Sequence, residues 1–174
     1  MLPKINIFCL TLDKDNFKNE NKMIEERIKE LGFKIPEAPK PLAAYIPAIR
    51  IDKLVFTAGQ LPMVDGKLIA VGKLGAEISN ELGTKAAEKC AINCLSVIKS
   101  VIGNLDNIEQ IVKVTVFINS ASGFTAQPQI ANGASEFLVK IFGEAGKHVR
   151  SAVGVNELPL NAAVEIEVIV KIKY

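Results

Sequence analysis

Hydrophobic residues after position 48 fall into short runs typical of β-strands, separated by turn signals. Ile49 to Ile51 and Leu54 to Thr57 flank the pair Asp52-Lys53, which predicts a hairpin. Asp65-Gly66 predicts a second turn. Residues 111–118 (IVKVTVFI) are too few and too rich in β-branched types for a helix, so we expect an interior strand there.

Two longer segments have the period of amphipathic helices. The first ends at Gly103 and the second at Gly143, each in the position of a helix-terminating glycine. Apolar or small residues recur on one face of each segment at the helical spacing. These residues are Ala87, Ala91, Cys94, Leu95, Ile98, Val101 and Ile102 in the first helix and Ile130, Ala134, Phe137, Leu138 and Ile141 in the second.

Two further strands complete the pattern. They cover residues 151–155 and 163–173 and are joined by Leu158-Pro159-Leu160-Asn161. The last strand alternates, and its apolar face consists of Val164, Ile166, Val168, Val170 and Ile172. Because helices alternate with strands in this order, we expect a single sheet covered on one face by two helices.

The N-terminal part of the chain differs from the rest. Residues 1–22 end in a polar stretch rich in Asn, Lys and Asp, and we expect a flexible leader there. Residues 23–31 predict a short amphipathic helix, after which Pro36, Pro39 and Pro41 favour an extended approach to the main domain. The length then predicts one domain over residues 23–174.

Composition and charge limit the classes of partner. The 174 residues are 49% hydrophobic and 23% charged, as in globular proteins, and the net charge of +2 is too small for a general polyanion-binding surface. Nucleic acid is therefore not the expected partner. No run approaches the roughly 18 apolar residues that span a membrane. Residues 5–12 are too short for a secretory signal, which favours a cytoplasmic protein.

Cysteine and histidine usage bears on cofactors. The three cysteines cannot all pair, and Cys90 and Cys94, one helical turn apart in an apolar setting, are expected to be buried thiols. His148 is the only histidine, which argues against a zinc or iron site, and the glycine-rich phosphate-binding motifs are missing from the sequence. We therefore expect no metal and no other cofactor.

Arg150 is the most unusual residue of the pattern, because it lies within an apolar strand (HVRSAVGV, residues 148–155). A buried guanidinium needs an anion, and its planar fork binds a carboxylate through two parallel hydrogen bonds. Three alternatives follow: a carboxylate ligand, an ion pair with a neighbouring acid, or a side chain that extends to solvent.

Two carboxylates, a histidine and a glycine extend the candidate chemistry. Glu165 and Glu167 lie on the polar face of the last strand; one of them faces a cleft as a general base beside Arg150, or both form an exposed strand face. His148 shares a strand face with Arg150 and is a ligand contact or a surface residue. Gly59-Gln60 closes the hairpin, where glycine permits close approach of a ligand or simply ends a strand.

Several segments, taken in order, resemble the Rid family of reactive-intermediate imine deaminases, the RidA-like proteins. They are Tyr45, TAGQLP at 57–62, VTVFIN at 114–119, VRSAVGVNELP at 149–159 and VEIEVIV at 164–170. The resemblance covers residues 36–174. The sequence around Tyr45 and between Asn132 and Val155 is similar to sequences of a divergent branch of the family.

The resemblance implies a chorismate mutase-like α+β fold, a single mixed sheet with two helices on one face, assembled as a homotrimer with clefts between subunits. It also implies cofactor-free hydrolysis of a small enamine or imine of amino-acid metabolism, such as 2-aminoacrylate, to a 2-keto acid and ammonia. Arg150 would bind the substrate carboxylate and Glu165 would position the water. The implied substrate-binding residues are Tyr45, Ala58, Gly59, Gln60, Phe117, Asn132, Ser151 and Ala152.

The chain departs from the family pattern around this site. His148-Val149 stands where the family has Pro-Ala, Ala58 where it has serine, and Ala152 where it often has cysteine; Asn132 matches the family's cleft asparagine loosely. A non-catalytic trimeric binding module for small carboxylate metabolites is therefore the alternative function. Ribonuclease activity, assigned to some relatives, is disfavoured by the small net charge and the single histidine.

Overall fold

The computed structural model describes residues 23–38 and 45–174. The predicted short helix is confirmed as α1, Ile24–Glu30, and the chain turns after it at Gly32, whose φ is +81°. The predicted leader (residues 1–22) and the prolines at 39 and 41 lie outside the described residues.

A five-stranded mixed sheet forms the framework of the domain, and a separate two-stranded ribbon accompanies it. The strands are β1 Ala48–Ile51, β2 Leu54–Thr57, β3 Met63–Val64, β4 Lys67–Leu68, β5 Ile108–Asn119, β6 Val149–Val155 and β7 Val164–Ile172. The order of strands in the large sheet is β1-β2-β7-β5-β6, and every neighbouring pair is antiparallel except β5 and β6. The predicted turn at Asp65-Gly66 is confirmed and joins β3 to β4 in the ribbon.

Two long helices cover one face of this sheet, as the sequence predicts. Helix α2, Asn80–Ile102, begins where the Ser79 side chain accepts a hydrogen bond from the backbone of Leu82, and it ends at Gly103 with φ +76°. Helix α3, Gln127–Phe142, ends at Gly143 and connects the parallel strands β5 and β6. Among the described helices, none is long and apolar enough to cross a membrane.

The core lies between these helices and the sheet. The alternate residues of β7 that were predicted to be apolar, from Val164 to Ile172, are all buried. Cys90 and Cys94 of α2 are buried free thiols, and each donates a hydrogen bond to a β7 carbonyl oxygen. Because burial disfavours the thiolate, the pKa of both thiols is raised, which makes them poor nucleophiles. The prediction of buried thiols is confirmed.

The opposite face of the sheet is not covered by any described element. Cross-strand neighbours there form an apolar row, in which Ile49 lies opposite Phe56 and Phe56 opposite Ile169. Ile49 is 47% exposed and Val153 of β6 is 44% exposed. The fold therefore has one buried face and one largely apolar face that is open within a single chain.

Candidate functional site

The predicted site residues form two clusters on opposite faces of the sheet. Val114 of β5 lies opposite Arg150 of β6, and Phe117 of β5 lies opposite Glu165 of β7. Val114 is buried beneath the helices, whereas Phe117, three residues farther along the strand, points to the other face. Arg150 therefore extends toward α3, and Glu165 extends from the open face.

The Arg150 cluster consists of Arg150, Asn132, Ser135 and His148. The guanidinium donates from Nη1 to Asn132 Oδ1 at 2.9 Å and to Ser135 Oγ at 3.0 Å. From Nη2 it donates to the carbonyl oxygen of Pro128 at 3.3 Å. All three acceptors belong to α3 and all are uncharged, so the positive charge of Arg150 is held in place without being neutralised.

His148 lies on the same side of the sheet as Arg150, as the sequence predicts. Its Nε2 is 3.0 Å from Ser135 Oγ and its Nδ1 is 2.7 Å from the carbonyl oxygen of Gly146. Both ring nitrogens therefore have protein partners, and His148 reaches Arg150 only through Ser135.

The Glu165 cluster consists of Glu165, Gly59, Gln60 and Phe117. Gln60 pairs with Ile166 through two backbone hydrogen bonds, which lays residues 58–60 beside β7. The Glu165 carboxylate occupies the space left by the missing side chain of Gly59: a Cβ there would lie 1.8 Å from Glu165 Oε1. A side chain at position 59 would therefore displace the Glu165 carboxylate from this position, so the glycine allows the carboxylate to lie against the backbone.

The electrostatic surroundings of Glu165 favour a basic carboxylate. Burial raises its pKa, and the charge of Glu167 on the same strand face raises it further. Within residues 23–38 and 45–174, no group donates a hydrogen bond to the Glu165 carboxylate and no cation pairs with it. A half-buried carboxylate with a raised pKa and free oxygens is suited to accept a proton from water.

The remaining predicted residues lie around these clusters. Gln60 Nε2 donates to the carbonyl oxygens of Ala58 and Gly59 at 3.2 and 3.1 Å. Ser151 lies opposite Thr115 on the open face, and Ala152 lies opposite Val116 on the helix face. Tyr45 is 66% exposed before β1. Their contact with a ligand stays a prediction.

The structure separates the two candidate carboxylates from Arg150 within one chain. Glu165 and Glu167 belong to the open face, and the described part of the chain provides no acidic partner for Arg150. The alternation of side chains along a strand explains this separation. The β5 residue opposite Arg150, Val114, faces the helices, whereas the β5 residue opposite Glu165, Phe117, faces the open side. Among residues 23–38 and 45–174, a plain ion pair is therefore not the explanation for Arg150. The role of Glu165 beside Arg150 stays a prediction.

Sequence reasoning missed Ser135 and the carbonyl of Pro128. The available signal was the helical spacing, since Ser135 follows Asn132 by three residues and so lies on the same face of α3. The described residues contain no group of three or more His, Cys, Asp or Glu side chains arranged to hold a metal ion.

Comparison with known proteins agrees with these observations. A family model described as "YjgF/chorismate_mutase-like, putative endoribonuclease" matches residues 25–172. Protein TCP17 of Trypanosoma cruzi is 37% identical over 150 residues, which are 86% of this chain and 94% of that protein. A 2-iminobutanoate/2-iminopropanoate deaminase of Dermatophagoides farinae is 32% identical over 139 residues, 79% of this chain and 93% of that protein.

A solved structure is similar over most of the chain. A protein of unknown function from Agrobacterium tumefaciens superposes with a TM-score of 0.83 at 38% identity, covering 91% of this chain and 99% of that one. The family model, the two relatives and this structure each match more than three quarters of the chain. The chain therefore belongs to the YjgF/chorismate mutase-like family, the Rid family whose motifs its sequence carries.

Proposed function

We propose that this protein hydrolyses small enamines or imines derived from amino acids to a 2-keto acid and ammonia, in clefts between three copies of the chain. The observation that carries the proposal is the state of Arg150: its guanidinium is fixed by three uncharged acceptors and retains its full charge for a ligand. The Dermatophagoides farinae relative, named as an imine deaminase, supports this reaction class.

The donors of Arg150 that remain free suit a carboxylate. A guanidinium has five N–H donors. Both hydrogens of Nη1 and one of Nη2 are used by α3, so Nε–H and the second Nη2–H have no acceptor in the described part of the chain. Nε and Nη2 are the pair of nitrogens that binds a carboxylate side-on through two parallel hydrogen bonds. A substrate carboxylate is thus the ligand that these donors fit.

Glu165 supplies the base for hydrolysis. Protonation of an enamine carbon gives an iminium ion whose carbon is electrophilic. Water attacks this carbon, the C–O bond forms, and Glu165 takes the proton of the water. The proton is then returned to the nitrogen, Glu165 takes the remaining hydroxyl proton as the C–N bond breaks, and ammonia leaves the 2-keto acid. The raised pKa of Glu165 makes the carboxylate a stronger base for the first transfer and an effective acid for the second.

The positions of the two clusters favour a site shared between copies. Arg150 and Glu165 lie on opposite faces of the sheet, so one small substrate meets both only when they come from different chains. The open face is apolar enough to be an interface, since Ile49 and Ile51 are 47% and 55% exposed on it. Closed rings of identical chains place such faces against each other.

The test measures ammonia release from freshly generated 2-aminoacrylate. We expect Arg150→Ala to lower kcat/KM by about 100-fold, because two charge-assisted hydrogen bonds to the carboxylate are lost. Arg50→Ala is the matched control: Arg50 lies in β1 and its Nε donates to the backbone of Asp52 at 2.8 Å. Equal rates for the wild-type and Arg150→Ala proteins would contradict the proposal.

Calorimetry with 2-keto acids separates hydrolysis from binding alone. The wild-type protein could bind keto acids through Arg150 and yet turn over no member of a panel of imines. That result would contradict the deaminase proposal and favour the trimeric binding module. Loss of both binding and turnover in Arg150→Ala, with Arg50→Ala unchanged, supports the deaminase.

A further inference from the structure

Ser135 lies between the guanidinium of Arg150 and the imidazole of His148. Its Oγ is 3.0 Å from Arg150 Nη1 and 3.0 Å from His148 Nε2. His148 Nδ1 is in turn 2.7 Å from the carbonyl oxygen of Gly146. Four groups thus form one continuous hydrogen-bonded chain from the end of α3 to the candidate carboxylate-binding residue.

For a neutral imidazole, the direction of every hydrogen bond in this chain can be assigned. Arginine only donates, so Ser135 Oγ accepts from Arg150 and has one proton left to donate. A carbonyl only accepts, so His148 carries its proton on Nδ1 toward Gly146. His148 Nε2 is then the acceptor for the Ser135 hydroxyl. The neutral Nδ1–H tautomer of His148 is therefore the one that satisfies all the partners.

The far end of the chain is anchored by close packing. A Cβ on Gly146 would lie 2.4 Å from the carbonyl oxygen of Leu138 and 2.7 Å from the Cα of Val139, so the backbone at Gly146 rests directly against α3. Gln110 Nε2 also donates to the carbonyl oxygens of Ala145, at 3.1 Å, and Lys147, at 2.5 Å, on either side of it. The acceptor of His148 is thus fixed by the backbone of the protein.

We propose that Ser135 and His148 are positioning residues for Arg150: they hold Nη1 against α3 so that Nε and Nη2 face the substrate carboxylate. The proposal rests on the proposed function for the identity of the ligand. The long arginine side chain has many rotamers, and each fixed contact lowers the entropy that binding would otherwise cost. His148 stands where the family pattern has proline, so this chain gains an acceptor for Ser135 that a proline does not provide.

The first test compares Ser135→Ala with Ser135→Thr. Alanine is a good helix former, so α3 is expected to remain folded. We expect Ser135→Ala to raise KM for the imine, and the Kd for a 2-keto acid, by about fivefold with kcat nearly unchanged, because the carboxylate is bound equally in the ground and transition states. Ser135→Thr keeps the hydroxyl and should restore both values. Ser100→Ala is the matched control, since the Ser100 hydroxyl bonds only to Val97 of its own helix, at 2.7 Å.

His148 is tested by a pair of substitutions. In His148→Gln the amide oxygen reaches the position of Nε2 and accepts from Ser135, whereas His148→Leu offers no acceptor there. We expect the leucine variant to raise KM and Kd in the same direction as Ser135→Ala and the glutamine variant to remain close to wild type. Equal values for the leucine and glutamine variants would overturn the role of His148.

A spectroscopic measurement tests the chain without any ligand. Because His148 is the only histidine, the imidazole nitrogens of the protein labelled with ¹⁵N-histidine give one pair of NMR signals. We expect Nδ1 to be protonated and Nε2 to be unprotonated in the neutral imidazole, and Ser135→Ala to shift the Nε2 signal. An Nε2–H tautomer in the wild-type protein would overturn the proposal.

Failure of this inference and failure of the proposed function give different results. If Arg150→Ala abolishes turnover or keto-acid binding while Ser135→Ala leaves KM and Kd unchanged, the positioning role is wrong and the proposed function stands. If Arg150→Ala changes neither turnover nor binding, the proposed function is wrong, and the positioning role with it.

Discussion

At the scale of single residues, the proposed catalytic role of Glu165 is accompanied by a cost in stability. Burial and the neighbouring charge of Glu167 raise its pKa, so the folded protein binds this proton more tightly than the unfolded chain does. The ionised carboxylate therefore lowers the free energy of unfolding at every pH above the ordinary glutamate pKa of about 4.3. The pH range of this effect follows from the sign: it is fully present above the raised pKa and disappears as the pH falls toward the unfolded value.

Glu165→Gln should separate these two roles. We expect kcat to fall by about 100-fold or more, as for loss of a general base. We also expect the urea midpoint to rise at about pH 8 and this gain to vanish near pH 4, measured by far-UV circular dichroism. Glu109→Gln is the control, because Lys171 lies 2.6 Å away and lowers the pKa of exposed Glu109. That variant should keep full activity and gain no stability. A lower midpoint for Glu165→Gln at about pH 8 would contradict the sign.

Residue types in the sequence are enough to identify most of the candidate chemical groups. The contacts between these groups do not follow from the sequence. Arg150 was identified because a charged residue inside an apolar strand needs an explanation, and Glu165 because of strand alternation with the family motif. Ser135 gave no such signal, since a serine in an amphipathic helix is common. Its role depends on α3 lying against β6, which is a tertiary contact.

At the scale of elements, the two long helices pack so closely that glycine is required. A Cβ on Gly133 of α3 would lie 2.1 Å from the carbonyl oxygen of Thr84 in α2. A Cβ on Gly83 of α2 would meet the Leu74 Cδ1 methyl at 2.5 Å, which a side-chain rotation can relieve. The first contact is with rigid backbone, so the two glycines should respond differently to substitution.

Gly133→Ala tests this packing. Alanine gains about 1 kcal/mol over glycine in a helix interior. Overpacking against backbone costs about 1–3 kcal/mol and should exceed that gain. We expect the free energy of unfolding in urea to fall by about 1 kcal/mol or more, with a smaller loss or none for Gly83→Ala. Glu136→Ala, at an exposed position of α3, is the control. A Gly133→Ala protein as stable as wild type would show that the helices can separate without cost.

The elements themselves were largely predictable, because both periodicities are strong in this chain. The hairpin at Asp52-Lys53, the interior strand β5, the alternating strand β7 and the glycine ends of both long helices agree with the structure. The first turns of α2 were not assigned, since residues 80–86 contain few apolar side chains. These turns depend on the Ser79 cap and on the buried Gly83. Neither residue belongs to the periodic pattern of apolar side chains that predicts the rest of the helix.

At the scale of the whole molecule, the sequence indicates candidate site residues but not how they are arranged in space. Arg150 and Glu165 are separated by a turn and a change of strand, and only the sheet register shows that they point to opposite faces. Under the proposed function, a single chain therefore contributes two half-sites. In the proposed trimer, each active site takes Arg150 from one protomer and Glu165 from its neighbour, so a defect in either residue affects a different half of the same site.

Mixed assemblies test this arrangement directly. Arg150→Ala and Glu165→Gln should each be inactive, but random assembly of equal amounts places an intact Arg150 opposite an intact Glu165 in about a quarter of the sites of a closed ring. We expect co-refolding of the two variants from urea to recover up to about a quarter of the wild-type rate of ammonia release. Each variant refolded alone is the control, and sedimentation shows whether trimers form. If trimers form but no activity is recovered, both residues of a site come from one chain. Every site would then contain one of the two substitutions, because each protomer has one of them.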